Sequence, residues 1–147
     1  MNAFVAAGAG FLLAVLWFDL MFDVQAAGHA QVPEPALASI ATYYARVTTA
    51  ARPMNRLIAA VMAATLAALV VEIAGSGEPG WLGWVSLALA LAAIGLAAAK
   101  TVPAAVRLGT RRDPPALQSR LARAVLGQHL FCFAAIASVL VLQLVAG

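Results

Sequence analysis

An all-α, polytopic membrane protein, built as an antiparallel four-helix transmembrane bundle, is the fold this sequence predicts. Three observations predict it. The 147 residues are 64% hydrophobic and only 10% charged, against roughly 25% charged in soluble domains, so lipid must solvate the surface. Four apolar stretches are each long enough to cross a hydrocarbon core of about 30 Å, which takes about 20 helical residues. All nine Lys and Arg residues fall in two polar intervals: Arg46, Arg52 and Arg56, then Lys100, Arg107, Arg111, Arg112, Arg120 and Arg123.

The spans are predicted at 3–22, 56–73, 81–101 and 121–146, and the whole chain, 1–147, reads as one four-span membrane domain. Helix is required because an open strand leaves backbone groups unpaired in lipid. Span one is not a cleaved signal: no basic region precedes it, and it ends in Asp-rich sequence. An even number of spans lets both basic intervals share a side. The turn Gly75-Ser76-Gly77-Glu78-Pro79-Gly80 between spans two and three has no basic residue. The charge rule then places the basic intervals in the cytoplasm of a bacterial-type inner membrane, with both termini outside. Trp81 and Trp84 take the outer interface.

The interval after span one is too long for a bare loop. Pro33-Glu34-Pro35 starts a helix, and Leu37, Ile40, Tyr44, Val47 and Ala51 make one apolar stripe. Ser39, Thr42, Tyr43, Arg46 and Thr49 face the other way. The spacing predicts an amphipathic cytoplasmic helix over 36–52, lying on the membrane or capping the bundle and ended by Pro53. Gly109 stops span three, whose inner end Pro103 kinks. Asp113-Pro114-Pro115 reads as an Asp N-cap with Pro following, so span four starts before the membrane.

Small residues set the expected packing: Gly8 and Gly10 near Ala14, Ala63-Ala64, Ala67-Ala68, and Ala92-Ala93 with Gly95. Close backbone approach of this kind drives helix association in lipid. The same residues suit a homo-oligomer interface equally well.

Span one ends Trp17-Phe18-Asp19-Leu20-Met21-Phe22-Asp23, which puts Asp19 and Asp23 on one helix face. Asp23 lies at the boundary and Asp19 one turn deeper, roughly 5–6 Å. Gln128 and His129 enter span four about 9 Å inside Arg123. Asn55 and Arg56 open span two at that level, and Lys100 leaves span three there. Asp19, Asp23, Asn55, Arg56, Lys100, Gln128 and His129 therefore form one candidate polar cluster, because ionisable groups at membrane depth mark function by default. The bland alternative is interhelical hydrogen-bonded glue, with Asp19 paired to Arg56 or Arg52.

Among functional uses of the cluster, a metal or haem centre lacks ligands, since His29 and His129 are the two histidines and no ligand spacing is present. No metal and no cofactor is predicted, and no catalytic residue is assigned. A proton pathway would need continuation through Glu72 and Gln143 across an Ala- and Leu-lined centre. A pocket for a lipophilic molecule, walled by Trp17, Phe18, Met62, Phe131 and Phe133, fits the residues better. Cys132, the single cysteine, reads as a core residue.

Pro53-Met54-Asn55 opening span two and Gln128-His129 in span four, within four spans and a long first interval, resemble the small anthrone oxygenase-like membrane proteins. The resemblance implies action on polycyclic or other lipophilic substrates without a well-defined cofactor.

The leading expectation is a non-catalytic accessory or assembly subunit packing against a membrane protein partner or lipid. The alternative is a membrane enzyme or binding protein for a lipophilic small molecule, using Asp19, Asp23, Arg56 and His129; a proton-coupled transporter trails. Membrane lipids, a second copy or a protein partner are the expected contacts, and nucleic acid is not one.

Overall fold

The computed structural model describes residues 2–75 and 80–146. It is an all-α polytopic bundle. Helix α1 runs Asn2–Asp23, α2 Glu34–Tyr44, α3 Arg52–Gly75, α4 Trp81–Leu96, α5 Val102–Thr110 and α6 Pro115–Ala146. Four helical stretches are long and apolar enough to cross a membrane: Ala3–Ala26, Pro53–Gly75, Trp81–Thr110 and Pro115–Val145. The third is α4 and α5 joined by a π turn, Ala97–Thr101. The expected turn at 76–79 lies outside the described residues.

Helix α6 packs between α1 and α4, and α3 closes the ring from the other side, so each span is antiparallel to its neighbours. Small residues allow the contacts. A Cβ on Gly8 would clash with Thr65 Oγ1, and one on Gly83 would sit 3.1 Å from Ile73 Cγ1. Gly10 and Gly95 have open space where a Cβ would go, so the expected small-residue set divides between the interior and the surface.

Two apolar cores stack along the bundle. The intramembrane core holds Val5, Ala9, Leu12, Leu69, Ala90, Ala93, Cys132, Ile136 and Val139. The second lies at the basic end and holds Ala26, Leu37, Ile40, Tyr44, Leu108, Ala122 and Val125. Helix α2 builds the second core from its predicted stripe: Leu37, Ile40, Ala41 and Tyr44 are buried. It caps the bundle, packing chiefly on α5.

The element ends differ from the expected ones for local reasons. The amphipathic helix gives way after Tyr44 to a π turn, Ala45–Ala50. Pro53 then opens α3 rather than closing the helix before it. Gly109 does not stop span three: Arg111, at φ 54°, provides the left-handed C-cap. Gly109 is where α5 meets α2, since a Cβ there would lie 2.8 Å from the Ala45 backbone nitrogen. Asp113 does not cap α6. Its carboxylate takes two hydrogen bonds from Arg107, at 2.7 and 2.8 Å, while the Pro114 carbonyl accepts the first α6 amides.

Candidate functional site

Asp19 and Asp23 point from α1 into the junction of the two cores, where α2 and α6 meet them. His129 of α6 donates from Nδ1 to Asp23 Oδ2 at 2.6 Å. Its Nε2 lies 3.7 Å from Asp19 Oδ2, so one imidazole faces both carboxylates. The remaining oxygens accept phenol protons. Tyr44 donates to Asp23 Oδ1 at 2.6 Å, and Tyr43 to Asp19 Oδ1 at 2.7 Å. The Tyr43 ring stacks on Phe22 with centroids 4.1 Å apart. Asp23, Tyr44 and His129 are buried and Asp19 is half-buried.

Helix periodicity explains the convergence. Asp19 and Asp23 are one turn apart on α1 and so present two carboxylates to one neighbour. Adjacent Tyr43 and Tyr44 splay about 100° apart on α2, so each reaches a different carboxylate. Holding one buried and one half-buried carboxylate takes several donors, because an unpaired charge in a dry interior is costly. Gln25 Nε2 extends the network to Ser39 Oγ at 3.1 Å, and Ser119 Oγ accepts the Val32 amide at 3.0 Å.

Burial, reinforced by the Asp23 carboxylate beside it, pushes the Tyr44 phenol well above its ordinary pKa. Burial and the Asp19 carboxylate do the same to Tyr43. Both hydroxyls therefore stay protonated and serve as hydrogen-bond donors. Two phenols and one imidazole thus engage three of the four carboxylate oxygens and tie α1, α2 and α6 together.

The predicted cluster is thus partly assembled. Asp19, Asp23 and His129 come together. Gln128 is half-buried beside them in sequence, and its Oε1 is buried without a partner. Asn55 turns to its own connection, donating from Nδ2 to the Thr48 carbonyl at 2.9 Å. Arg56 and Lys100 are exposed and form no ion pair among the described residues. The Asp19–Arg56 pair is therefore replaced by phenol and imidazole contacts; the Arg52 side chain lies outside the described residues. His29 is exposed, in the connection between α1 and α2. Among the described residues no group of His, Cys, Asp and Glu has the geometry to hold a metal.

Tyr43 and Tyr44 are the members the residue pattern missed. Tyr44 falls on the apolar stripe and reads as packing, although a buried phenol needs a partner. Of the expected walls of a lipophilic pocket, Trp17 meets Phe133, with ring centroids 6.4 Å apart, while Trp17, Phe18 and Phe131 are 59, 59 and 49% exposed.

Fold and site together define a class: a polytopic helical membrane protein whose deepest charged groups lock an amphipathic helix onto the ends of its spans. Over residues 1–146 the chain matches the SHR3 chaperone family, described as ER membrane protein SH3, and it belongs to that family. No curated protein and no solved structure matches it. The family replaces the resemblance to anthrone oxygenase-like proteins, which rested on layout and two short polar runs that many four-span proteins can share. It also replaces the bacterial inner membrane with the ER membrane, and the orientation drawn for that inner membrane goes with it. Charge asymmetry puts two basic intervals on one side of a bilayer; it does not distinguish one membrane from another.

Proposed function

We propose that the protein is a non-catalytic assembly chaperone of the ER membrane, a single membrane domain that holds a transmembrane segment of another polytopic protein until that protein is packed. Family membership supports the accessory role. The observation that carries the proposal here is the engagement of the cluster within the chain: both carboxylates accept a hydrogen bond from a phenol and face the same imidazole. These groups hold α2 in place rather than facing a substrate.

A client helix needs a surface within the bilayer. The outer face of α6 offers a shallow groove of about 390 Å³ lined by Ala137, Ser138, Val141 and Leu142. Ala134 and Ser138 are exposed one turn apart on that face. Small residues at this spacing let a second helix approach closely, and packing rather than hydrophobic transfer drives association in lipid. Ser138 already donates to the Ala134 carbonyl at 2.9 Å, so its hydroxyl does not obstruct a neighbouring helix.

The test is depletion of the protein followed by quantitative comparison of membrane proteins in the ER and beyond it. A restricted set of polytopic proteins should aggregate or stay in the ER. Wild type should restore them, and Ser138→Trp, which fills the groove, should not. Unchanged membrane-protein distribution, with loss of a small-molecule conversion instead, would overturn the proposal.

A further inference from the structure

Among the described residues, two π turns interrupt the helices, and both lie where the basic end joins the spans. Ala45–Ala50 leads from α2 to α3, and Ala97–Thr101 leads from α4 to α5. Each is closed by an amide reaching back five residues: Ala51 to the Arg46 carbonyl at 2.7 Å, and Val102 to the Ala97 carbonyl. Neither runs on as a regular helix. Ala51 leaves helical geometry after the first turn, at φ −86° and ψ 60°. Pro103 follows the second and has no amide to give to the ladder. Thr101 is buried there with its hydroxyl unpartnered. Helices bend at such turns, which occur frequently at functional sites.

Beyond the two turns, α2 and α5 are fastened to each other at both ends of α2. Glu34, at its start, pairs with Arg111, just past α5. Ala45, just past its end, lies against Gly109, where backbone meets backbone. Between these points Leu37 and Ile40 share the second core with Ala105 and Leu108. The attachment of this pair to the spans is divided differently. Its directional part lies on α2: Tyr43 to Asp19, Tyr44 to Asp23, and Ser39 to Gln25. Helix α5 meets α6 through the apolar core alone, and among the described residues it makes no side-chain hydrogen bond to a span. It does not touch α1.

We propose that α2 and α5 form one lid, hinged at the two π turns, latched by Asp19, Asp23 and His129, and opening as a unit. Contiguous elements that share contacts open together, with a free energy below that of global unfolding. The contacts within the pair are backbone packing, an ion pair and a shared core, so the weaker boundary is the one with the spans. Opening bares both carboxylates and the imidazole, together with Ala122 and Val125 of α6. The lid therefore controls access to the charged groups at the ends of the spans. This device does not depend on the chaperone reading.

Hydrogen–deuterium exchange of the full chain in mild detergent, followed at α5, tests this. The probe is Asp23→Asn on α1, with Asp19→Asn as the milder variant because Asp19 is half-buried. A hydrogen bond to a charged group exceeds a neutral one by about tenfold in equilibrium constant. Amides of α2 should therefore exchange about tenfold faster. Amides of α5 should gain by the same factor, although α5 touches neither carboxylate. Amides of α3 and α4 on the far side of the π turns should keep their protection. A gain confined to α2, with α5 unchanged, would overturn the shared lid. A gain that spreads through α3 and α4 in both variants would mean general unfolding and overturn the hinges. No gain in either helix would overturn the latch.

Discussion

The two halves of this bundle are held together by different physics. In the far half, helices touch through small residues: Gly8 against Thr65, and Gly83 against Ile73. Polar groups there are sparse and loosely joined. Gln143 Nε2 reaches Ser86 Oγ only at 3.4 Å, and Gln143 Oε1 and Glu72 Oε2 are buried without partners. In the basic half, three elements meet through hydrogen bonds of 2.6–2.7 Å to two carboxylates. Shape complementarity is enough to align long apolar helices in lipid. Placing a short helix at a given spot on their ends takes directional contacts, and the carboxylates provide them.

Substitutions should therefore separate the halves. The largest effect is expected from Asp23→Ala, which leaves His129 and Tyr44 facing each other in a buried space. Removing one partner of such a pair costs about 3–5 kcal/mol. Unfolding in mild detergent should show this loss, with α2 released before the spans. Tyr44→Phe removes one donor to a buried carboxylate and should cost about 1.5–3 kcal/mol, with Tyr43→Phe at the lower end because its ring is half-buried.

Glycine substitutions sharpen the contrast. Gly109→Ala drives a methyl into the Ala45 backbone, which cannot step aside, and should cost about 1–3 kcal/mol. Gly8→Ala meets the Thr65 hydroxyl instead, so Thr65→Ala in the same chain should recover most of the loss. A double-variant stability measurement checks this. Failure of the rescue would mean that α1 and α3 are held apart by something other than Thr65.

The smallest effects are those of pH, and their signs differ. The buried phenols keep their protons in the folded state, with Tyr44 raised above its ordinary value of 10.0. Their contribution is fully present below about pH 10 and is lost progressively as pH rises beyond it. Asp113 is held below its ordinary 3.8 by the Arg107 hydrogen bonds. Its contribution is present above that value and lost as pH falls through the lowered one. The exposed Arg107–Asp113 pair should matter little in either salt or acid. Monitoring unfolding across pH, with Tyr44→Phe as the alkaline control, separates the two limbs.

Much of this architecture was legible from the residues alone. Apolar length and charge placement yield four spans and the side shared by the basic intervals. The stripe Leu37, Ile40, Tyr44 yields the buried face of α2. Depth along a helix follows from residue number, and Asp19, Asp23 and His129, grouped on that ground, do meet. The direction of a side chain around the helix depends on its neighbours, so depth alone also drew in Asn55, Arg56 and Lys100. Asn55 turns back to Thr48, and the two cations face outward. Tyr43 and Tyr44 were missed because a phenol's hydroxyl shows its value only once a carboxylate is placed beside it. Gly109 reads as a stop because glycine ends helices often; here it makes room for another backbone.

The account stands or falls on whether the carboxylates hold α2. Hydrogen–deuterium exchange of wild type and Asp23→Asn, which keeps size and removes charge, tests it most directly. The account predicts faster exchange at α2 amides, with the middles of α1 and α6 still protected. Unchanged protection of α2, together with loss of the proposed chaperone activity in the same variant, would contradict it and return Asp23 to the role of a ligand-facing group.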